Sequence, residues 1–130
     1  MLSRAVPPTC VLITGATGGI GGALAMVYAE PGRTLILHGR NAVRLRELAV
    51  LCEARGARVL TRLLDLRDTA ALRAWLATLC AEESLDLVIV NAGVNTNIGP
   101  QGAGERWQDV QALIEINLIG AVNVAHAFAP

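Results

Sequence analysis

The sequence predicts an α/β fold, a doubly wound parallel sheet, and three observations carry that expectation. Strand-like and helix-like segments alternate four times along 130 residues, with connections too long for hairpins and long enough for right-handed crossovers. The strand-like segments TLILH (34–38) and LVIV (87–90) are apolar throughout, as strands covered by helices on both faces should be. A glycine-rich stretch separates the first strand from the first helix.

Taken in order, residues 1–9 carry Pro7 and Pro8 and read as a flexible lead-in. The β-branched run 10–14 is too short for a helix and is bounded by glycine, so it is a buried strand. From 19 to 30, Ile20, Leu24 and Val27 recur at helical spacing, and Pro31-Gly32 stops the segment. A second strand spans 34–38. Asn41 then caps a helix with Leu45, Leu48, Ala49 and Cys52 on one face, which Gly56 ends. The third strand covers 58–64. Asp68 caps a helix carrying Leu72, Trp75, Leu76 and Leu79 at three-four spacing. A fourth strand spans 85–90, and a Gly- and Asn-rich loop follows over 95–104. The last segment is an amphipathic helix whose stripe is Trp107, Val110, Ile114, Leu118, Ala121, Ala125 and Phe128. The sheet is thus expected to be truncated after about four strands and the helix that follows the fourth.

Composition narrows the function. An apolar content of 53% in 130 residues suits one compact domain. Eleven basic residues balance eleven acidic ones, so the chain lacks the basic excess that drives nucleic-acid binding, and no nucleic-acid partner is expected. Every basic residue is an arginine. The absence of lysine removes mechanisms that need a Schiff base or a lysine-tuned proton donor. Cys10, Cys52 and Cys80 are odd in number and widely spaced among apolar residues, which suits reduced core thiols and neither disulfides nor a metal site. His38 and His126 have no partner at ligand spacing and read as structural. Residues 10–29 contain no charge, but the five glycines within them argue against a membrane span, and a cytoplasmic location is expected.

The strongest motif is TGATGGIG, from Thr14 through Gly15, Thr17, Gly18, Gly19 and Ile20 to Gly21. Placed between a strand and a helix, such glycines permit a tight turn and close approach of a pyrophosphate, with helix-start N–H groups facing the anion. No Gly-Lys-Ser/Thr follows, which excludes a Walker-type site. The spacing resembles that of the short-chain dehydrogenase/reductase family, and further matches fall in order. Asp65 with Leu66 resembles the family's adenine-contacting aspartate. Asn91-Ala92-Gly93 resembles the motif that stabilises the sheet beside the cofactor. Asn117, within EINLIGAV, resembles the asparagine of the catalytic tetrad.

The resemblance covers residues 9–130 and implies a Rossmann-type, NAD(P)-binding domain over 10–130, present as the N-terminal half of an oxidoreductase. That enzyme would transfer hydride between a nicotinamide and a small carbonyl or alcohol substrate, with Asn117 supporting a proton relay. The complete form is expected to be a homo-oligomer. The end of the second strand, His38-Gly39-Arg40-Asn41, has no acid to accept the ribose hydroxyls of NAD. Arg40 instead offers a planar fork suited to the 2′-phosphate, so NADP(H) is the expected cofactor and NAD(H) the second candidate. The family's serine and its Tyr-x-x-x-Lys have no counterpart here, since the only tyrosine is Tyr28, so the 130-residue chain alone is expected to be inactive. The alternative is a non-catalytic dinucleotide-binding or scaffold module. Asn117 sits among Leu113, Ile114, Gly120 and Ala121 at helical neighbour positions, which predicts a buried amide that must find partners.

Overall fold

The computed structural model describes residues 6–129, so the first five residues of the expected lead-in, and Pro130, lie outside the described residues. Four parallel strands form one sheet in the order β3-β2-β1-β4: β1 (Cys10–Ile13), β2 (Thr34–Gly39), β3 (Arg58–Leu63) and β4 (Leu87–Ile89). Helices α1 (Gly19–Tyr28), α2 (Ala42–Ala54) and α3 (Thr69–Glu82) connect them. Beyond β4 come a short 3-10 turn (Pro100–Gly102), α4 (Trp107–Ile114), a π-helical segment (Glu115–Gly120) and α5 (Ala121–Ala127). This is a four-stranded Rossmann-type sheet.

Alternation along β1 creates the two cores. Val11 and Ile13 face a cluster shared with Leu35, Leu37, Ala25, Leu45 and Cys52, beneath α1 and α2. Cys10 and Leu12 face the opposite cluster, shared with Ile36, Leu72, Leu76, Ile116 and Val124, beneath α3 and the last helical segment. The helix starts form as their sequence dictates. Asn41 Oδ1 accepts from the Arg44 N–H at 3.0 Å, and Asp68 Oδ1 accepts from the Ala71 N–H at 3.0 Å. Each cap stabilises its helix by about 1 kcal/mol. Asp86 ties the start of β1 to the start of β4, accepting from Thr9 N–H and Oγ1–H and from the Cys10 N–H.

The packed face of α1 is not the one that carries its apolar spacing, and two expectations need correction. Ile20 and Val27 of α1 are 72% and 66% exposed, and Gly21 and Ala25 face the sheet instead. Small residues let the helix backbone approach the β1–α1 turn closely, which larger apolar side chains would prevent. Cys80, read as a core thiol, is exposed, whereas Cys10 and Cys52 are buried. The last segment is not one regular helix. Its core-facing residues are Ile116, Gly120 and Val124, while Trp107, Ile114 and Leu118 of the apolar stripe are exposed. A π turn inserts backbone relative to 3.6 residues per turn and rotates everything after it, so a single helical line drawn through the sequence leaves the packed face. The uncharged stretch 10–29 divides into strand, turn and helix. Trp107–Ala127, with a mean hydropathy of 1.3, is long and apolar enough to cross a membrane by length and composition. It packs here with Ile116 and Val124 in the second core.

Candidate functional site

At the carboxyl ends of β1, β2 and β4 lies an open cleft of about 380 Å³, where crossovers to opposite faces of the sheet diverge. The β1–α1 turn forms its floor. Gly15 takes a φ of +66°, which glycine adopts without strain, and a Cβ there would meet Ala92 Cα at 2.6 Å. Gly21 sits underneath the turn. A Cβ at Gly21 would run into the Gly15 carbonyl oxygen and lie 2.8 Å from Asn91 Nδ2. Gly19, by contrast, has nothing within 4 Å of its Cβ direction. The first N–H of α1 to bond backward is that of Gly22, to the Gly18 carbonyl at 2.9 Å. The amides of Gly19, Ile20 and Gly21 are therefore the unpaired first-turn donors of a helix start.

Only two polar side chains are buried among the described residues, Thr14 and His38, and both hold this turn. Thr14 Oγ1 accepts from the Asn91 and Ala92 N–H groups at 3.0 and 3.1 Å. Asn91 Nδ2 donates in return to the Thr14 and Gly15 carbonyls, both at 3.2 Å. The segment Asn91-Ala92-Gly93 is thus bolted to the turn from the β4 side. His38 does the same from the β2 side, where its Nδ1 accepts from the Gly15 N–H at 3.2 Å.

Of the residues singled out in the sequence, Gly15, Thr17, Gly18, Gly19, Ile20, Arg40, Leu66, Asn91, Ala92 and Gly93 line the cleft. Thr14 and Gly21 lie beneath it. Asp65 opens onto a neighbouring hollow that it shares with Arg40, Leu63 and Leu64. Its carboxylate is occupied: Arg67 donates from Nε and Nη2, the latter at 2.6 Å to Oδ2, and the Arg67 N–H adds a bond of 3.0 Å to Oδ1. The Arg67 side chain, together with that N–H, outweighs partial burial and holds the carboxyl down at about 2.

Asn117 falls within the π turn, on the segment whose Ile116 reaches the cleft wall. Its amide forms a two-way clasp with Val94, accepting from the N–H at 2.7 Å and donating to the carbonyl at 2.8 Å. The amide has its partners, but Asn117 is exposed, contrary to the burial expected of it, because no described element packs over that side of the π turn. His38, Gly39, Arg44, Val94 and Ile116 also line the cleft and were not anticipated as site residues. Arg44 carried a readable signal, since a helix capped by Asn41 brings it round near Arg40. The others owe their place to tertiary packing alone.

Comparison with known proteins adds to this geometry. The family model described as short chain dehydrogenase matches residues 9–130. Sulfoacetaldehyde reductase 2 of Chromohalobacter salexigens is 41% identical over 122 residues, covering 92% of this chain and 47% of that protein. The NADP-dependent 3-hydroxy acid dehydrogenase YdfG of Salmonella typhi is 33% identical over 123 residues, with 92% and 47% coverage. A crystal structure of a metagenomic short-chain oxidoreductase in complex with NADP superposes with a TM-score of 0.82 at 30% identity, covering 94% of this chain and 55% of that one. The chain spans about half the length of the curated relatives it matches.

Proposed function

The chain belongs to the short-chain dehydrogenase/reductase family, and from that premise we propose that its cleft binds NADP(H) as the cofactor half of an oxidoreductase acting on a small carbonyl or alcohol. The observation that carries this reading is the charge of the cleft wall. Arg40 and Arg44 stand on it, and no lining residue is acidic. The end of β2 thus favours a dianionic 2′-phosphate over the paired ribose hydroxyls that an acid would accept. The turn fits the rest of the dinucleotide, because Gly19 leaves open space in front of unpaired helix-start N–H groups. Among the relatives, YdfG is named as NADP-dependent and the metagenomic oxidoreductase holds NADP.

In this reading Gly15, Thr17, Gly18, Gly19 and Ile20 surround the pyrophosphate, with Thr14 and Gly21 shaping the turn from below. Arg40 and Arg44 grip the 2′-phosphate, and Asp65 and Leu66 flank the adenine. Asn91, Ala92 and Gly93 wall the ribose, and Asn117 supports a proton relay in the complete enzyme. When bound, the nicotinamide supplies the hydride chemistry. What this chain does is bind and orient the cofactor at the ends of β1 and β4. The chain holds no lysine and its one tyrosine is on α1, which favours cofactor binding without turnover by these 130 residues alone. The complete enzyme is proposed to be a cytoplasmic homo-oligomer.

Calorimetric titration tests the cofactor assignment. NADP+ should bind about ten- to a hundredfold more tightly than NAD+, the value of about 1.5–3 kcal/mol for a charge-assisted contact. Arg40→Ala should cut that preference about tenfold, and Arg40→Ala with Arg44→Ala should erase it, each leaving NAD+ affinity within about threefold. Equal affinity for the two in the wild-type chain would overturn the NADP assignment.

A further inference from the structure

His38 has a role that a core histidine would not need. It is 2% exposed at the end of β2, and it grips two consecutive amides of the phosphate-binding turn. Its Nδ1 accepts from the Gly15 N–H at 3.2 Å, and its backbone carbonyl accepts from the Ala16 N–H at 2.8 Å. On its far side, Nε2 lies 2.9 Å from the carbonyl oxygen of Leu64, the residue just before Asp65 and Leu66. An amide N–H can only donate and a carbonyl can only accept, so both contacts form together in a single state: neutral imidazole with its proton on Nε2. Protonation would set an Nδ1–H against the Gly15 N–H.

We propose that His38 is a positioning residue for the phosphate-binding turn, holding it only as the neutral Nε2–H tautomer, so that acid releases the turn and weakens dinucleotide binding. This rests on the reading of the cleft as an NADP(H) site. The groups around the ring keep it neutral. Trp75 of α3 lies against it, with centroids 5.8 Å apart, and the turn itself carries no charge. Arg40 follows it at the exit of β2, and Arg44 of α2 shares its cleft wall. Arg62 of β3 lies over the Trp75 ring, its guanidinium carbon 5.9 Å from the ring centroid. The acid that acts on it among the described residues, Asp65, is engaged by Arg67. Burial pushes the imidazole below its ordinary value and the Arg40 charge adds to this, against the opposing Leu64 hydrogen bond and Asp65 charge. A group shifted down in the folded state lends stability that is full above the ordinary imidazole range near 6.5 and is lost as the pH falls through it.

The test compares the wild-type chain with His38→Asn, whose Oδ1 can stand in for Nδ1 as an acceptor and does not titrate. NADP+ affinity is titrated from roughly pH 8 to roughly pH 5. The 2′-phosphate of the ligand titrates in the same window in both proteins, so the ratio of their dissociation constants isolates His38. Wild type should weaken relative to the variant by about tenfold per pH unit once His38 protonates. Its unfolding midpoint without ligand should also fall with acid more steeply than the variant's. A ratio of affinities that stays constant across pH values at which the wild-type imidazole ¹⁵N shifts show His38 protonated overturns the proposal, even if stability alone proves acid-sensitive. Failure of the wild-type chain to bind NADP+ at the alkaline end removes the cofactor reading and the positioning role with it. Should His38→Asn not fold, the imidazole ¹⁵N shifts of the wild type decide instead. A bare Nδ1 at neutral pH that protonates together with loss of NADP+ affinity supports the proposal, and an Nδ1–H at neutral pH overturns it.

Discussion

Two glycines of the turn separate folding from binding. Gly21 has no room for a side chain, because a methyl there meets the Gly15 carbonyl, Asn91 Nδ2 and Ala16 Cα, and two of the three are backbone that cannot swing aside. Gly21→Ala should destabilise the chain by about 1–3 kcal/mol, the usual effect of overpacking. Gly19 faces open space at the start of α1. Gly19→Ala should leave the thermal midpoint unchanged or raise it by up to about 1 kcal/mol in stability, since alanine is the better helix former. Its methyl would nonetheless stand where a pyrophosphate must approach, and NADP+ affinity should fall by about tenfold or more. Thermal unfolding beside NADP+ titration reads both, and a Gly19→Ala chain that binds like wild type would move the phosphate elsewhere. The glycines were legible in the sequence because what they permit is local: a positive φ, a missing Cβ, a helix start. His38 was not. Its neighbours in space, Gly15 and Leu64, lie 23 and 26 residues away, and nothing in the residues beside it tells a packed histidine from one that takes an amide of the turn.

The π turn at Glu115–Gly120 is the element on which the far side of the cleft depends. It turns Asn117 toward Val94, and the two-way clasp ties the loop after β4 to the last helical segment. Asn117→Ala removes both bonds and should cost about 1–2 kcal/mol, modest because the amide is exposed. Asn117→Asp keeps the acceptor for the Val94 N–H but sets a carboxylate against the Val94 carbonyl. It should behave near the alanine variant at neutral pH and recover toward wild type in acid, as the carboxyl gains a proton to donate. Exchange of the Val94 amide with solvent reports this directly, and a rate unmoved by either substitution would mean that the clasp carries no weight. At this scale the strands and the caps of α2 and α3 could be read from sequence, because Asn41 and Asp68 act on amides three residues ahead. The packed faces of α1 and of the last segment could not. Helical spacing of apolar residues identifies a helix but does not choose between its two apolar lines, and a π turn changes the spacing itself.

Across the molecule, the sheet presents β3 and β4 as its two edges, and only β3 carries charge along its length. Leu87, Val88 and Ile89 of β4 are half-buried, with unpaired backbone on their outer side among the described residues. An apolar, uncharged edge is a template for another chain. Around the corner, Ile114, Leu118 and Val122 recur every four residues with 41%, 59% and 57% exposure, and Trp107 extends the line at 68%. Four large apolar side chains exposed on one helical segment are a candidate surface for association. The edge and the stripe together predict that the 130-residue chain self-associates or dissolves poorly. In sedimentation experiments the species should exceed 13.6 kDa and dissociate on dilution. Leu118→Arg places a guanidinium in the middle of the stripe without touching the core residues Ile116 and Val124, so it should raise the monomer fraction and preserve the fold. If the substituted chain stays associated, the β4 edge and not the helical stripe is the adhesive surface. If the wild-type chain sediments as a single 13.6 kDa species at every concentration, neither surface associates.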